Sequence, residues 1–158
     1  MPLWQIFHPE DAYTEEDKQG LAERIVAIHP GLPKFYVVVV FHALPSHSIY
    51  AGGVPQKKFV RLKIDQMART LPGPIQRAWW MRKVESAIAP YVTDRGLSSE
   101  VQIAELPADL WTFDGLVPPP MESVAEKRWK ADNKPSLYSE DDKMPESMKW
   151  GPSIFEGR

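Results

Sequence analysis

FYVVVVFHAL, residues 35–44, is the most strand-like stretch of the chain. Its valines sit between aromatics, and β-branched and aromatic side chains suit a pleated surface. The run is apolar at odd and even positions alike. Both faces therefore want cover, and the pattern predicts a central strand of a sheet. What flanks it decides how the sheet is built.

Upstream, TEEDKQGLAERIVAIHPG (14–31) carries a helix pattern. Thr14 is a good N-cap, and Asp17 three residues later comes close to a capping box. Glu15, Glu16 and Asp17 suit the positive end of the helix dipole. Leu21, Ala22, Ile25, Val26 and Ile28 form an apolar stripe, and His29-Pro30-Gly31 stops the helix. Before it, LWQIFH (3–8) alternates as a short strand that His8-Pro9 ends. Pro2 stands at the head of that strand, where a missing backbone N–H is tolerated.

Downstream, PSHSIYAGGVPQKK (45–58) is a loop with a Gly52-Gly53 turn and a short hairpin about Ile49–Ala51. FVRLKID (59–65) alternates, with Val60, Leu62 and Ile64 on one face and Arg61, Lys63 and Asp65 on the other. A second helix is predicted from Pro74 to about Val92, with Ala78, Met81, Val84 and Ile88 at helical spacing; Arg95-Gly96 ends it. Trp79-Trp80 reads as helix packing. SEVQIAEL (99–106) is a further strand.

The order is strand, helix, strand, twice over. Strands joined through a helix are most simply parallel, with right-handed crossovers. The predicted class is α/β (α+β): two consecutive βαβ units forming a four-stranded sheet with two helices on one face. The other face stays apolar at the valine run, and a second copy of the chain is its cheapest cover. Residues 1–116 make this domain. Residues 117–158 are a Pro-rich extension: FDGLVPPPMES (113–123) is a turn segment leading into it, 122–133 fits a short helix, and 134–158 is polar, either an arm with Tyr138, Met148, Trp150 and Phe155 as anchors or plain disorder.

Composition narrows the function. A net charge of −2 with no basic block argues against nucleic acid. No apolar run approaches the ~20 residues of a membrane span, and no signal peptide is visible. These features lead to an expectation of a cytoplasmic protein. Cysteine is absent, which excludes thiolate catalysis and disulfides. His8, His42 and His47 lack metal-ligand spacing, so neither metal nor cofactor is expected.

Pro2 offers chemistry of its own. If Met1 is removed, its nitrogen becomes a secondary amine fixed to the end of a strand. A free α-amine titrates at roughly 7.7–8.0, and burial or nearby cations lower that value. A base poised near neutrality suits proton abstraction beside a carbonyl. Trp4 and Phe7 would supply low dielectric. A substrate carboxylate needs a cation, preferably an arginine.

Several motifs together carry a resemblance. Pro2 heading a strand, the two βαβ halves and His29 after the first helix resemble the tautomerase superfamily. IVAIHPGL, IYAGGV, the FV of the third strand, Arg69 and AELPADLWTFDG resemble the cis-3-chloroacrylic acid dehalogenase group. MPLWQIFHP, FVRLKIDQMAR and DLWTFDGLVPPP resemble the fungal oxalocrotonate tautomerase-like family. The likeness covers roughly residues 2–120. It implies a homotrimer in which the N-terminal proline acts as general base or acid on small 2-oxo acids, enols or unsaturated carboxylates. Pro2 matches the catalytic proline and His29 the histidine that helps hold the substrate carboxylate. With a one-residue shift, Arg69 matches the second of the group's paired arginines. The first has no match: Asp65 or Gln66 falls there, and Arg61 is the candidate substitute. Gln102 falls where the group has a tyrosine, and Phe113 where it has a water-activating glutamate, with Asp114 adjacent. These departures weigh against hydrolytic dehalogenation. Hydration and decarboxylation are close variants, and a non-catalytic trimeric scaffold is the alternative.

Overall fold

The computed structural model describes residues 1–148. The chain divides into two compact units, Met1–Leu106 and Pro107–Arg158. The first holds β1 (Pro2–Pro9), α1 (Glu15–Ala27), β2 (Val38–Leu44), the two-residue strands β3 (Tyr50–Ala51) and β4 (Val54–Pro55), β5 (Phe59–Gln66), α2 (Pro74–Ile88) and β6 (Ser98–Glu105). The main sheet has four strands in the order β2-β1-β5-β6. β2 runs parallel to β1 and β6 parallel to β5, as the two βαβ halves predict; β1 and β5 meet antiparallel.

The valine run is not central. β2 is an edge strand and its residues are no more than half-buried. Its first part departs further from expectation: Lys34–Tyr36 forms a 3₁₀ turn that buries Tyr36, and the strand begins only at Val38. The centre is β1 and β5, which alternate between buried and half-buried residues until the end of β5, where Ile64, Asp65 and Gln66 are all buried. The physical reason is pairing order. The first crossover lays β2 on one side of β1, and β5 takes the other.

Trp4 and Ile6 of β1 and Val60, Leu62 and Ile64 of β5 pack under the helices with Leu21, Ile25, Trp80, Val84 and Ile88. Burial of that apolar area is the main stabilising term. α1 starts with a complete capping box: Thr14 Oγ1 accepts from Asp17 N–H, and Asp17 accepts from Thr14 N–H. The same carboxylate takes an ion pair from Arg95, 2.6 Å away, which holds it well below the usual carboxylate range. In α2 the buried stripe is Trp80, Val84, Ala87 and Ile88; Ala78, expected on it, is exposed. The helix stops at Ile88, and two 3₁₀ turns carry the chain to Gly96, whose φ of 69° only glycine adopts readily. Gly20 in α1 marks a close approach, since a Cβ there would stand 2.2 Å from the Tyr91 hydroxyl.

The open face is mixed, not uniformly apolar. Phe7 stacks on His42 at 4.4 Å on the β1–β2 side. Toward β6, Arg61 pairs with Glu100 at 2.5 Å and Lys63 with Asp65 at 3.5 Å.

In the second unit, α3 (Val124–Asp132) begins at Ser123, whose hydroxyl accepts from Glu126 N–H, and ends at Asn133 in the left-handed region. Trp129 is fully buried, and Tyr138 packs against it and donates to Val117 C=O at 2.7 Å. Trp150 and Phe155, expected as anchors, lie outside the described residues. Among the described residues no helix is long and apolar enough to cross a membrane.

Candidate active site

Pro2 opens β1 with the same parity as Trp4 and Ile6, so it belongs to the helix face and is buried. Directly opposite it across the antiparallel ladder stands Gln66, the last residue of β5. One residue outside that pair, Met67 N–H donates to Met1 C=O at 2.9 Å.

His29 follows α1 immediately. Its N–H donates to Val26 C=O, and its own C=O accepts from Leu32 N–H, so the His29-Pro30-Gly31-Leu32 turn is fixed by main-chain bonds of 3.0 and 3.1 Å. The imidazole lies 5.0 Å from the Trp80 ring and 6.1 Å from the Trp4 ring, both edge to face.

Arg69 lies in the loop after β5, which is latched on both sides. Gln66 Nε2 donates to Arg69 C=O at 3.0 Å. Leu71 N–H donates to the Glu105 carboxylate, and Leu71 C=O accepts from Arg77 Nε at 2.9 Å. The Arg69 guanidinium itself donates to Ala68 C=O at 2.8 Å.

These three segments enclose a cavity of about 170 Å³. It is lined by Pro2, residues 28–32, Gln66, Ala68, Arg69, Leu71 and Trp80. The structure thus brings together three of the residues read from sequence, Pro2, His29 and Arg69. Burial, and behind it the Lys83 ammonium and the chain's α-amino group, pushes His29 down to about 4. At neutral pH its imidazole is therefore uncharged. It can form hydrogen bonds but carries no charge, whereas Arg69, also a lining residue, is cationic.

Two other candidates stand elsewhere in the first unit. Arg61 and Gln102 project from the open face, where Arg61 donates to Glu100 at 2.5 Å and to Gln102 Oε1 at 2.9 Å. They do not line the cavity. Asp114 belongs to the second unit, in a turn closed by Phe113 and Leu116, with φ at 49°. Gln66, noted in the sequence as falling with Asp65 at the family's first arginine, and Trp80, read there as helix packing, also line the cavity. Gln66 shares the parity of Val60, Leu62 and Ile64, which was the available signal. Trp80 is four residues before Val84 and shares its helix face.

Polar atoms of the cavity walls remain unmatched. His29 Nε2, Gln66 Oε1 and Trp80 Nε1 are buried and have no hydrogen-bond partner among the described residues. Buried polar groups are seldom left so, and each such group is a reason to look for a ligand.

A sheet of two βαβ halves, with a proline opening its first strand at a small cavity beneath the helices, is the fold of the tautomerase superfamily. Within it, the chain belongs to the family described as "Putative oxalocrotonate tautomerase enzyme", which matches residues 1–134. The chain is 43% identical to native RhCC from Rhodococcus jostii, over 86% of this chain and 99% of that one, with a TM-score of 0.84. A probable enzyme from the thermophilic fungus Aspergillus fumigatus is 35% identical over 87% and 98%, with a TM-score of 0.81. N1, a member of the cis-3-chloroacrylic acid dehalogenase family, is 17% identical over 82% and 90%, with a TM-score of 0.67, a likeness of fold alone. A fused 4-OT described as a symmetric trimer shares the fold at 15% identity over 73% of this chain and 94% of that one, with a TM-score of 0.59. No curated protein matches.

Proposed function

We propose that this chain is a tautomerase whose general base and acid is Pro2, freed by removal of Met1. The substrate is a small 2-oxo acid in its enol form, or a related unsaturated carboxylate. The observation that carries this is the convergence of Pro2, His29 and Arg69, from three separate segments, on one cavity. Arg69 holds the carboxylate by charge-assisted hydrogen bonds, and neutral His29 orients it. The Pro2 amine takes the enol O–H proton. The prolinium then returns a proton to C3, the double-bond pair forms the new C–H bond, and the carbonyl forms at C2. Nothing is added or lost. Water activation by Asp114 is not required. Copies of the chain cover the open face, as a homotrimer, and the protein works in the cytoplasm without a cofactor. The mixed apolar and ionic character of that face supports a specific self-interface.

The test is ketonisation of phenylenolpyruvate, followed by ultraviolet absorbance, on protein shown by mass to lack Met1. Pro2→Ala should fold and lose roughly 10²–10⁴ in rate, the usual share of general acid–base catalysis. Equal turnover in both proteins would remove the proposal. It would favour a non-catalytic scaffold.

A further inference from the structure

We propose that the cavity selects ligands that carry a hydroxyl beside the carboxylate, an enol or a 2-hydroxy acid, and that the Gln66 amide oxygen is the group that recognises it. This rests on the reading of the cavity as the substrate site.

The orientation of the Gln66 amide is fixed by its neighbour. Its Nε2 donates to Arg69 C=O at 3.0 Å, so Oε1 is the atom left over. An amide oxygen only accepts. A carboxylate or a keto oxygen cannot satisfy it; an O–H can. Gln66 is 6% exposed, lines the cavity and stands across the ladder from Pro2. A hydroxyl bound to it therefore lies on the wall that Pro2 shares. The complementary demand comes from Trp80, whose Nε1–H has no acceptor and is only a donor. A carboxylate or keto oxygen meets it. The walls thus ask for one donor and at least one acceptor on the same small molecule. The space of about 170 Å³ takes the carboxylate and hydroxyl end of a small acid, and its open side leaves room for a larger substituent such as a phenyl ring.

An unsaturated acid without a hydroxyl leaves Gln66 Oε1 desolvated and unpaired. Sites built to bond a ligand hydroxyl discriminate strongly against the analogue that lacks it. The expected preference is roughly tenfold to hundredfold in Kd.

The probes are 3-phenyllactate and 3-phenylpropanoate, which differ by the 2-hydroxyl, titrated calorimetrically into protein lacking Met1. 3-Phenyllactate should bind at least about tenfold more tightly. In Gln66→Leu the preference should vanish, by weaker 3-phenyllactate binding and undiminished 3-phenylpropanoate binding. Equal binding to the unsubstituted protein overturns the inference whether or not the variant folds, as does failure of both acids to bind. A preference that survives Gln66→Leu also overturns it. So does a variant that only shifts the pH profile of turnover, which would give Gln66 to the proline amine instead. Pro2→Ala separates the two proposals: it should lose turnover by roughly 10²–10⁴ and keep the hydroxyl preference.

Discussion

The helix face and the open face of the sheet are built from the same strands, one residue out of step. On β1 and β5 the even positions turn under the helices and carry Pro2, Trp4, Ile6, Leu62, Ile64 and Gln66. The odd positions carry Phe7, Arg61 and Lys63. Among the described residues, the helix face keeps three unmatched polar atoms on cavity-lining residues, His29 Nε2, Gln66 Oε1 and Trp80 Nε1; the open face pairs Arg61 with Glu100 and Gln102 across the strands and leaves His42 Nε2 unmatched. Charge that is already paired across strands is structural. Polar groups that fold without a partner are held for something else.

Large-to-small substitution draws the contrast most sharply. Trp4→Ala should cost about 3–5 kcal/mol in urea unfolding, since the side chain is fully buried. Phe7→Ala on the open face should cost roughly 1 kcal/mol, chiefly its stack on His42. An equal loss would mean that the open face is as buried as the other, which requires another copy of the chain.

Acid should act through the helix face. The folded protein holds His29 near 4 against an ordinary 6.5, so the unfolded chain binds the proton more readily. The stability this represents is complete above 6.5 and is lost as pH falls from 6.5 through 4. It amounts to about 3 kcal/mol. Buried His8 is lowered too and acts in the same direction. Urea midpoints between pH 4 and 7 would measure the slope, and His29→Gln should flatten it.

Arginines on the two faces should separate next. Arg69→Ala is expected to lower kcat/KM roughly tenfold to hundredfold, the worth of a charge-assisted contact. Arg61→Ala should stay within a few-fold at unchanged oligomeric state. If the effects were reversed, the active face would be the open one. The smallest effect belongs to Gly20. Alanine usually stabilises a helix interior by about 1 kcal/mol over glycine. At position 20 the clash with Tyr91 should cancel that gain or reverse it, lowering Tm by a few degrees.

Parity is legible in the sequence. Alternation in FVRLKID already put Arg61 opposite Val60, Leu62 and Ile64, and a helix-face site would exclude it on that ground. Caps and stops of α1 were equally readable, because they are local. The edge position of β2 was not, since pairing order is a property of the whole sheet and four valines look alike at its centre or rim. Phase was harder in α2. Ala78 and Trp80 are two residues apart, and only the packed helix decides which one turns inward. Gln66 stands in the sequence only as an alternative to Asp65 where the group has its first arginine, because a glutamine at a strand end carries no chemical signature until the residue opposite it is known.

The Asp17 carboxylate has a consequence for how the first unit comes apart. It closes the start of α1 and, through Arg95, ties that turn to the segment after α2. Tyr13 makes a second tie, from its hydroxyl to Tyr91 C=O at 3.0 Å. The two βαβ halves are thus pinned where a simple duplication would leave them free to fray separately. Amide protons in the first turn of α1 and in the turns before Gly96 should exchange with solvent at one common rate, as a single cooperative unit. Replacing Asp17 should split that unit in two.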